Sequence, residues 1–153
     1  MVTDFSALAR QLENLTEERG WNPTPIQAAS QKQLLAGDDL LLIAPTGSGK
    51  TEAVVMPLLS NALTESWEPL CILYITPLRA LNRDIDRRIA ALAKAVGLNA
   101  DVRHGDTSQY QRTKQARNPP HLLVTTPETC QLLLFGSRLR EGLRNLKAVV
   151  IDE

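Results

Sequence analysis

Ala44-Pro45-Thr46-Gly47-Ser48-Gly49-Lys50-Thr51 follows the apolar stretch 40–43 and opens a segment of helical character. Strand, glycine-rich loop and helix in that order are the context in which backbone N–H groups hold phosphate. Gly47 and Gly49 permit turns closed to residues with side chains, so the N–H groups from Thr46 through Ser48 to Gly49 can converge on one anion. The start of the following helix adds its partial positive charge. Lys50 would supply a mobile full charge to the β- and γ-phosphates, and Thr51 a hydroxyl for Mg²⁺. Ala44 stands where the general G-x-x-x-x-G-K-T pattern has glycine, but it is small and lies at the strand exit. The segment is therefore expected to hold a nucleoside triphosphate with Mg²⁺.

Outward from this loop, strand-like and helix-like stretches alternate. Phe5, Leu8, Leu12 and Leu15 stand at helical spacing and predict an N-terminal helix stopped by Gly20. Strands are expected at 40–43, 71–75, 100–103, 121–125 and 147–151, and helices at 25–36, 50–63, 79–96, 108–117, 127–135 and 138–144. Strands as apolar as Leu122-Leu123-Val124 and Ala148-Val149-Val150-Ile151 belong in a parallel sheet buried on both faces. The fold class is α/β of the P-loop type, a parallel sheet covered by helices on both faces.

In such sheets ligands gather beyond the carboxyl ends of the strands. Thr76-Pro77-Leu78-Arg79, His104-Gly105-Asp106-Thr107 and Thr125-Thr126-Pro127-Glu128 each follow an expected strand. Threonine then proline is an N-cap followed by the first helical residue. Capping alone explains each one singly. Together they form a row of anion sites suited to a single-stranded nucleic-acid backbone, with Arg79 adding a direct charge.

Gln27 is the third helical residue if Thr24 caps and Pro25 leads, which completes a T-x-x-Q capping box. Its amide could equally read an adenine edge, since it offers a donor and an acceptor. Asp152 and Glu153 follow the apolar strand 147–151. After a P-loop, such a pair reads as a Mg²⁺ carboxylate and a base that polarises the attacking water.

The 153 residues are 43% hydrophobic and 22% charged with zero net charge, as in an ordinary single globular domain. Residues 1–76 hold 4 Lys and Arg against 9 Asp and Glu, whereas residues 77–153 hold 13 against 8. The cationic surface thus belongs to the second half. No apolar run approaches the ~20 residues that span a bilayer, and the start lacks a secretory n-region. A cytoplasmic location without membrane contact is the expectation. Cys71 and Cys130 lack C-x-x-C spacing and read as buried thiols.

Pro23-Thr24-Pro25-Ile26-Gln27, the loop 44–51, Thr76-Pro77-Leu78-Arg79-Ala80-Leu81, Thr125-Thr126-Pro127-Glu128 and Ile151-Asp152-Glu153 resemble the ordered motifs of superfamily 2 DExD/H-box helicases. Pro77-Leu78-Arg79-Ala80-Leu81-Asn82-Arg83-Asp84, Arg103-His104-Gly105-Asp106-Thr107-Ser108 and Pro119-Pro120 before Leu122 resemble the large-helicase-related (Lhr) type more narrowly. That resemblance implies ATP-dependent 3′-to-5′ unwinding of DNA and RNA–DNA hybrids, linked to repair, with ATP and Mg²⁺ as cofactors. It implies single-stranded nucleic acid as partner, DNA ahead of RNA. Gln27 becomes the adenine reader; Thr46, Gly47, Ser48, Gly49, Lys50 and Thr51 the phosphate and Mg²⁺ site. Asp152 becomes the Mg²⁺ carboxylate and Glu153 the catalytic base beside Lys50. Thr76, Arg79, Gly105 and Thr126 fall where the family tracks the backbone.

The same resemblance makes residues 1–153 part of an N-terminal RecA-like domain, with a second RecA-like domain expected in cis. A non-catalytic remnant of such a helicase, or another P-loop NTPase, is the competing expectation. In the RecA-like fold the P-loop strand lies between two strands that come later than the Asp-Glu motif. The strand at 40–43 should therefore lack its usual neighbours, while the others keep the order 147–151, 71–75, 121–125, 100–103.

Overall fold

The computed structural model describes residues 4–77, 83–135 and 137–153. The chain divides into two compact units, Met1–Ser66 and Trp67–Glu153.

The first unit is helical. Its helices are α1 (Arg10–Glu18), α2 (Pro25–Leu35) and α3 (Lys50–Thr64). The N-terminal helix begins at Arg10, later than the spacing of Phe5 and Leu8 suggests. Asp4 takes the N–H of Ser6 on its carboxylate at 3.1 Å, and Leu8 N–H closes a turn on the Phe5 carbonyl at 3.0 Å. Ala9 is extended at φ −53°, ψ 141° and offers no capping side chain. Phe5 and Leu8 are nevertheless buried with Leu12, so their spacing reports a shared face and not a shared helix. Gly20, at φ +63°, ends α1 in a Schellman arrangement: its N–H reaches the Glu17 carbonyl and that of Trp21 reaches Thr16.

Two polar side chains deep in α3 organise the other helices of this unit. Ser60 Oγ accepts the orphan N–H of Ala9 at 2.7 Å, supplying from a distance the cap that α1 lacks. Asn61 Nδ2 donates to the carbonyls of Leu34 and Leu35, at 3.2 and 3.3 Å, and so satisfies the last turn of α2. Around them Val55, Met56, Leu59 and Ala62 are buried.

The second unit holds a parallel four-stranded sheet in the order β2 (Ala100–Arg103), β3 (Leu122–Thr125), β1 (Ile72–Ile75), β4 (Ala148–Ile151). This is the expected order. Ile72 pairs in register with Leu122 on one side and Ala148 on the other. The crossovers run through α4 (Arg83–Ala95), α5 (Gln109–Arg117), α6 (Pro127–Phe135) and α7 (Ser137–Gly142), with a 3₁₀ turn at Leu143–Asn145 before β4. Leu70, Leu73, Leu123, Leu133 and Leu139 form one apolar cluster of this unit.

The stretch 40–43 is a correction: it forms no strand and belongs to no sheet among the described residues. Apolar composition alone does not make a strand; a hydrogen-bonded partner does, and the expectation that this stretch lacks its usual neighbours agrees with its absence from the sheet. Leu41 and Ile43 are accordingly more than 80% exposed. On β4, Val149 and Ile151 are exposed as well, so this edge is not buried in the way its sequence implied.

Candidate nucleotide and nucleic-acid site

Gly47 and Gly49 both adopt left-handed backbone, at φ +79° and +86°, and Ser48 N–H folds back to the Pro45 carbonyl at 3.3 Å. Gly49 is the N-cap of α3, so Lys50 and Thr51 are its first two helical residues. Lys50 Nζ donates to the carbonyls of Ala44 and Pro45 at 2.7 and 3.0 Å. The ammonium thus sits inside the loop's own curve. Ser48 Oγ is buried and has no partner among the described residues. A loop of this curvature with an unspent hydroxyl, an internal cation and a helix start behind it fits a phosphate chain.

Gln27 stands against this loop. Its Oε1 accepts the Thr24 N–H at 3.0 Å, and its Nε2 donates to the Gly49 carbonyl at 3.2 Å. The capping reading is therefore present in the structure. Thr24 and Gln27 form the expected capping box, and the amide keeps one donor hydrogen and one acceptor lone pair beyond these bonds. Gln27 ties the start of α2 to the phosphate loop, a link that spacing alone did not reveal.

In the second unit the parallel order brings four connections to one carboxyl edge in sequence: the turn after β2, the Thr125-Thr126 end of β3, Thr76 after β1 and Asp152 after β4. Thr126 caps α6, accepting the Thr129 N–H at 3.3 Å, with Pro127 as the first helical residue. Thr76 continues the ladder through its N–H to the Thr125 carbonyl at 2.9 Å. Its side chain is fully buried, and Oγ1 has no partner among the described residues. Arg79 lies outside the described residues, as does the expected start of its helix.

The turn at Gly105 is held by a residue that the sequence did not single out. Arg112, on α5, donates from Nε to the Thr107 carbonyl at 2.8 Å, and from one terminal nitrogen to those of Gly105 and His104 at 2.8 and 3.3 Å. Ser108, not Thr107, caps α5, while Thr107 Oγ1 accepts the His104 N–H at 2.9 Å. A β-carbon added at Gly105 would meet nothing within 4 Å. The groups behind the turn are only partly solvated. Burial pushes the Asp86 carboxyl up against the opposing pull of His104, and burial together with the Arg112 charge lowers Arg103.

Asp152 continues β4 by one more bond, its N–H reaching the Ile75 carbonyl at 2.9 Å. Its Oδ2 accepts the Tyr74 hydroxyl at 2.7 Å. Glu153 is exposed, at φ +65°. Among the described residues no helix is long and apolar enough to cross a membrane, and no His, Cys, Asp and Glu cluster has a metal-binding arrangement of its own.

Comparison with known proteins gives a consistent picture. The sequence profile of the DEAD/DEAH box helicase family matches residues 24–153. The ATP-dependent helicase Lhr-Core of Methanocaldococcus jannaschii is 34% identical over 85% of the chain, and the Lhr helicase/uracil glycosylase of Escherichia coli 37% identical over 86%. The chain spans only 18% and 10% of those proteins. The solved structure of the Mycobacterium smegmatis helicase Lhr bound to ssDNA and AMP-PNP superposes with a TM-score of 0.80 at 33% identity, over 97% of this chain and 20% of that one. The DEAD-box helicase Mss116 shares the fold, with a TM-score of 0.78 at 20% identity over 97% of this chain and 31% of that one.

Proposed function

Because the chain belongs to the DEAD/DEAH box helicase family, we propose that it is the ATP-binding part of an ATP-dependent helicase that unwinds DNA or RNA–DNA hybrids in repair. The observation that carries this reading is the loop 44–51. Its two left-handed glycines, internal lysine and helix start support a phosphate-binding role for the loop. Similarity to an Lhr helicase bound to ssDNA and AMP-PNP supports ATP as the nucleotide and single-stranded DNA as the partner.

In this reading the N–H groups of Thr46, Gly47, Ser48 and Gly49 hold the phosphates. Lys50 leaves the Ala44 and Pro45 carbonyls for the β- and γ-phosphate oxygens. Gln27 uses its remaining donor and acceptor on the adenine edge. Thr51 and Asp152 hold Mg²⁺, which when bound neutralises charge on the phosphates. Glu153 takes the proton of the attacking water. Thr76, Arg79, Gly105 and Thr126 meet the nucleic-acid backbone, and a second RecA-like domain acts in cis.

The test is hydrolysis by a helicase that contains this segment. Single-stranded nucleic acid should accelerate turnover. Lys50→Ala should abolish it by removing charge stabilisation of the transferring phosphoryl group, and Glu153→Gln should retain ATP binding while blocking turnover. Normal turnover in either variant overturns the assignment.

A further inference from the structure

Tyr74 lies on the central strand β1, in register with Val150 of β4. Side chains alternate between sheet faces, so Tyr74, Val150 and Asp152 point to one side, and Asp152 is the diagonal neighbour within reach of a long side chain. Tyr74 is 2% exposed. A phenol buried in an apolar strand needs a partner for its hydroxyl, and this one donates to Asp152 Oδ2 at 2.7 Å. The backbone of Asp152 is fixed by the same strand, through the Ile75 carbonyl. Both the main chain and the side chain of this carboxylate are therefore set by β1.

We propose that Tyr74 is a positioning residue that holds the Asp152 carboxylate in one orientation for the divalent cation, Oδ2 being taken by the phenol and Oδ1 left without that bond. The inference rests on the reading of Asp152 as the Mg²⁺ carboxylate. A carboxylate one bond beyond a strand end would otherwise sample several side-chain rotamers. An oriented one binds a cation without that ordering cost. Outer partners of ligating carboxylates act on metal affinity in this way.

The first measurement needs no metal. In the isotope-labelled chain, three-bond couplings should report a single χ1 rotamer for Asp152, and the Tyr74 hydroxyl proton should be visible through protection from solvent. Tyr74→Phe keeps the ring and removes the hydroxyl, and it should give averaged couplings. The second measurement titrates Mn²⁺ with ADP present, read by water-proton relaxation, and Tyr74→Phe should weaken Mn²⁺ about tenfold. Unchanged couplings in Tyr74→Phe overturn the proposal, as does a wild-type hydroxyl proton in free exchange should the variant not fold. If Asp152→Asn weakens Mn²⁺ but Tyr74→Phe does not, Asp152 keeps its role and the positioning by Tyr74 is wrong. If Asp152→Asn has no effect, the cation reading of Asp152 fails and the proposal falls with it.

Discussion

Gln27 Nε2 stands 2.6 Å from the place a β-carbon on Gly49 would occupy, and it donates to the Gly49 carbonyl at 3.2 Å. Glycine is thus required twice at this position, by φ +86° and by the approach of the amide. Gly49→Ala should cost about 1–2 kcal/mol for the left-handed backbone and about 1 kcal/mol more for the displaced Gln27 bonds. The second part should vanish when Gln27 is already alanine. A double-mutant cycle in urea melts checks this; zero coupling between the two sites contradicts the contact.

Arg112→Ala should loosen the turn at 104–107, since three carbonyls lose a charged donor. The expected loss is about 1–3 kcal/mol, together with faster amide exchange at Thr107 and His104. Native exchange there in the variant means the turn holds itself.

Removing Arg79 should weaken nucleic-acid binding alike across sequences and lower the salt slope by about one, the mark of one lost phosphate contact. An unchanged slope leaves Arg79 without a phosphate contact.

Ser60→Ala should free the α1 end, and Asn61→Ala the α2 end, each at about 1–3 kcal/mol for a stranded backbone group. Hydrogen exchange separates them. Faster exchange should appear at Ala9 and Leu12 in the first variant, and near Ala36 in the second. Protection unaltered at both ends refutes the role assigned to α3.

Burial pushes the Cys71 thiol from 9.0 up to about 11. The unfolded thiol ionises first, so the stabilising difference is intact below about pH 9 and is lost as pH rises toward 11. Between those values the wild-type chain should lose stability more steeply than Cys71→Ala. Parallel slopes in urea melts at pH 8 to 11 would remove Cys71 as the cause.

Much of the second unit was legible because its signals are local. Thr126 and Pro127 announce the start of α6 by themselves, and the apolar runs at 122–125 and 148–151 announce strands. The turn of the loop 44–51 was legible because glycine spacing encodes its backbone. What escaped depends on residues distant in sequence. Ala9 precedes α1 without a capping side chain of its own, and Ser60, far along the chain, meets its N–H; Asp152 is gripped by a tyrosine on a strand that reads as mere core. At 40–43 the sequence was right about the missing neighbours and wrong about the strand, since an extended apolar segment without a hydrogen-bonded partner forms no ladder.

The permuted sheet also bears on how the second unit reaches its native state. Its middle strand, β1, is made early, yet its neighbours β3 and β4 are both supplied later in the chain, one of them at residues 148–151. Every pairing β1 makes must close a long loop before it returns any stabilisation, a topology that slows folding. During synthesis the run Ile72-Leu73-Tyr74-Ile75 therefore emerges apolar and unpaired. This interval, and not the finished sheet, is when the chain is most open to self-association.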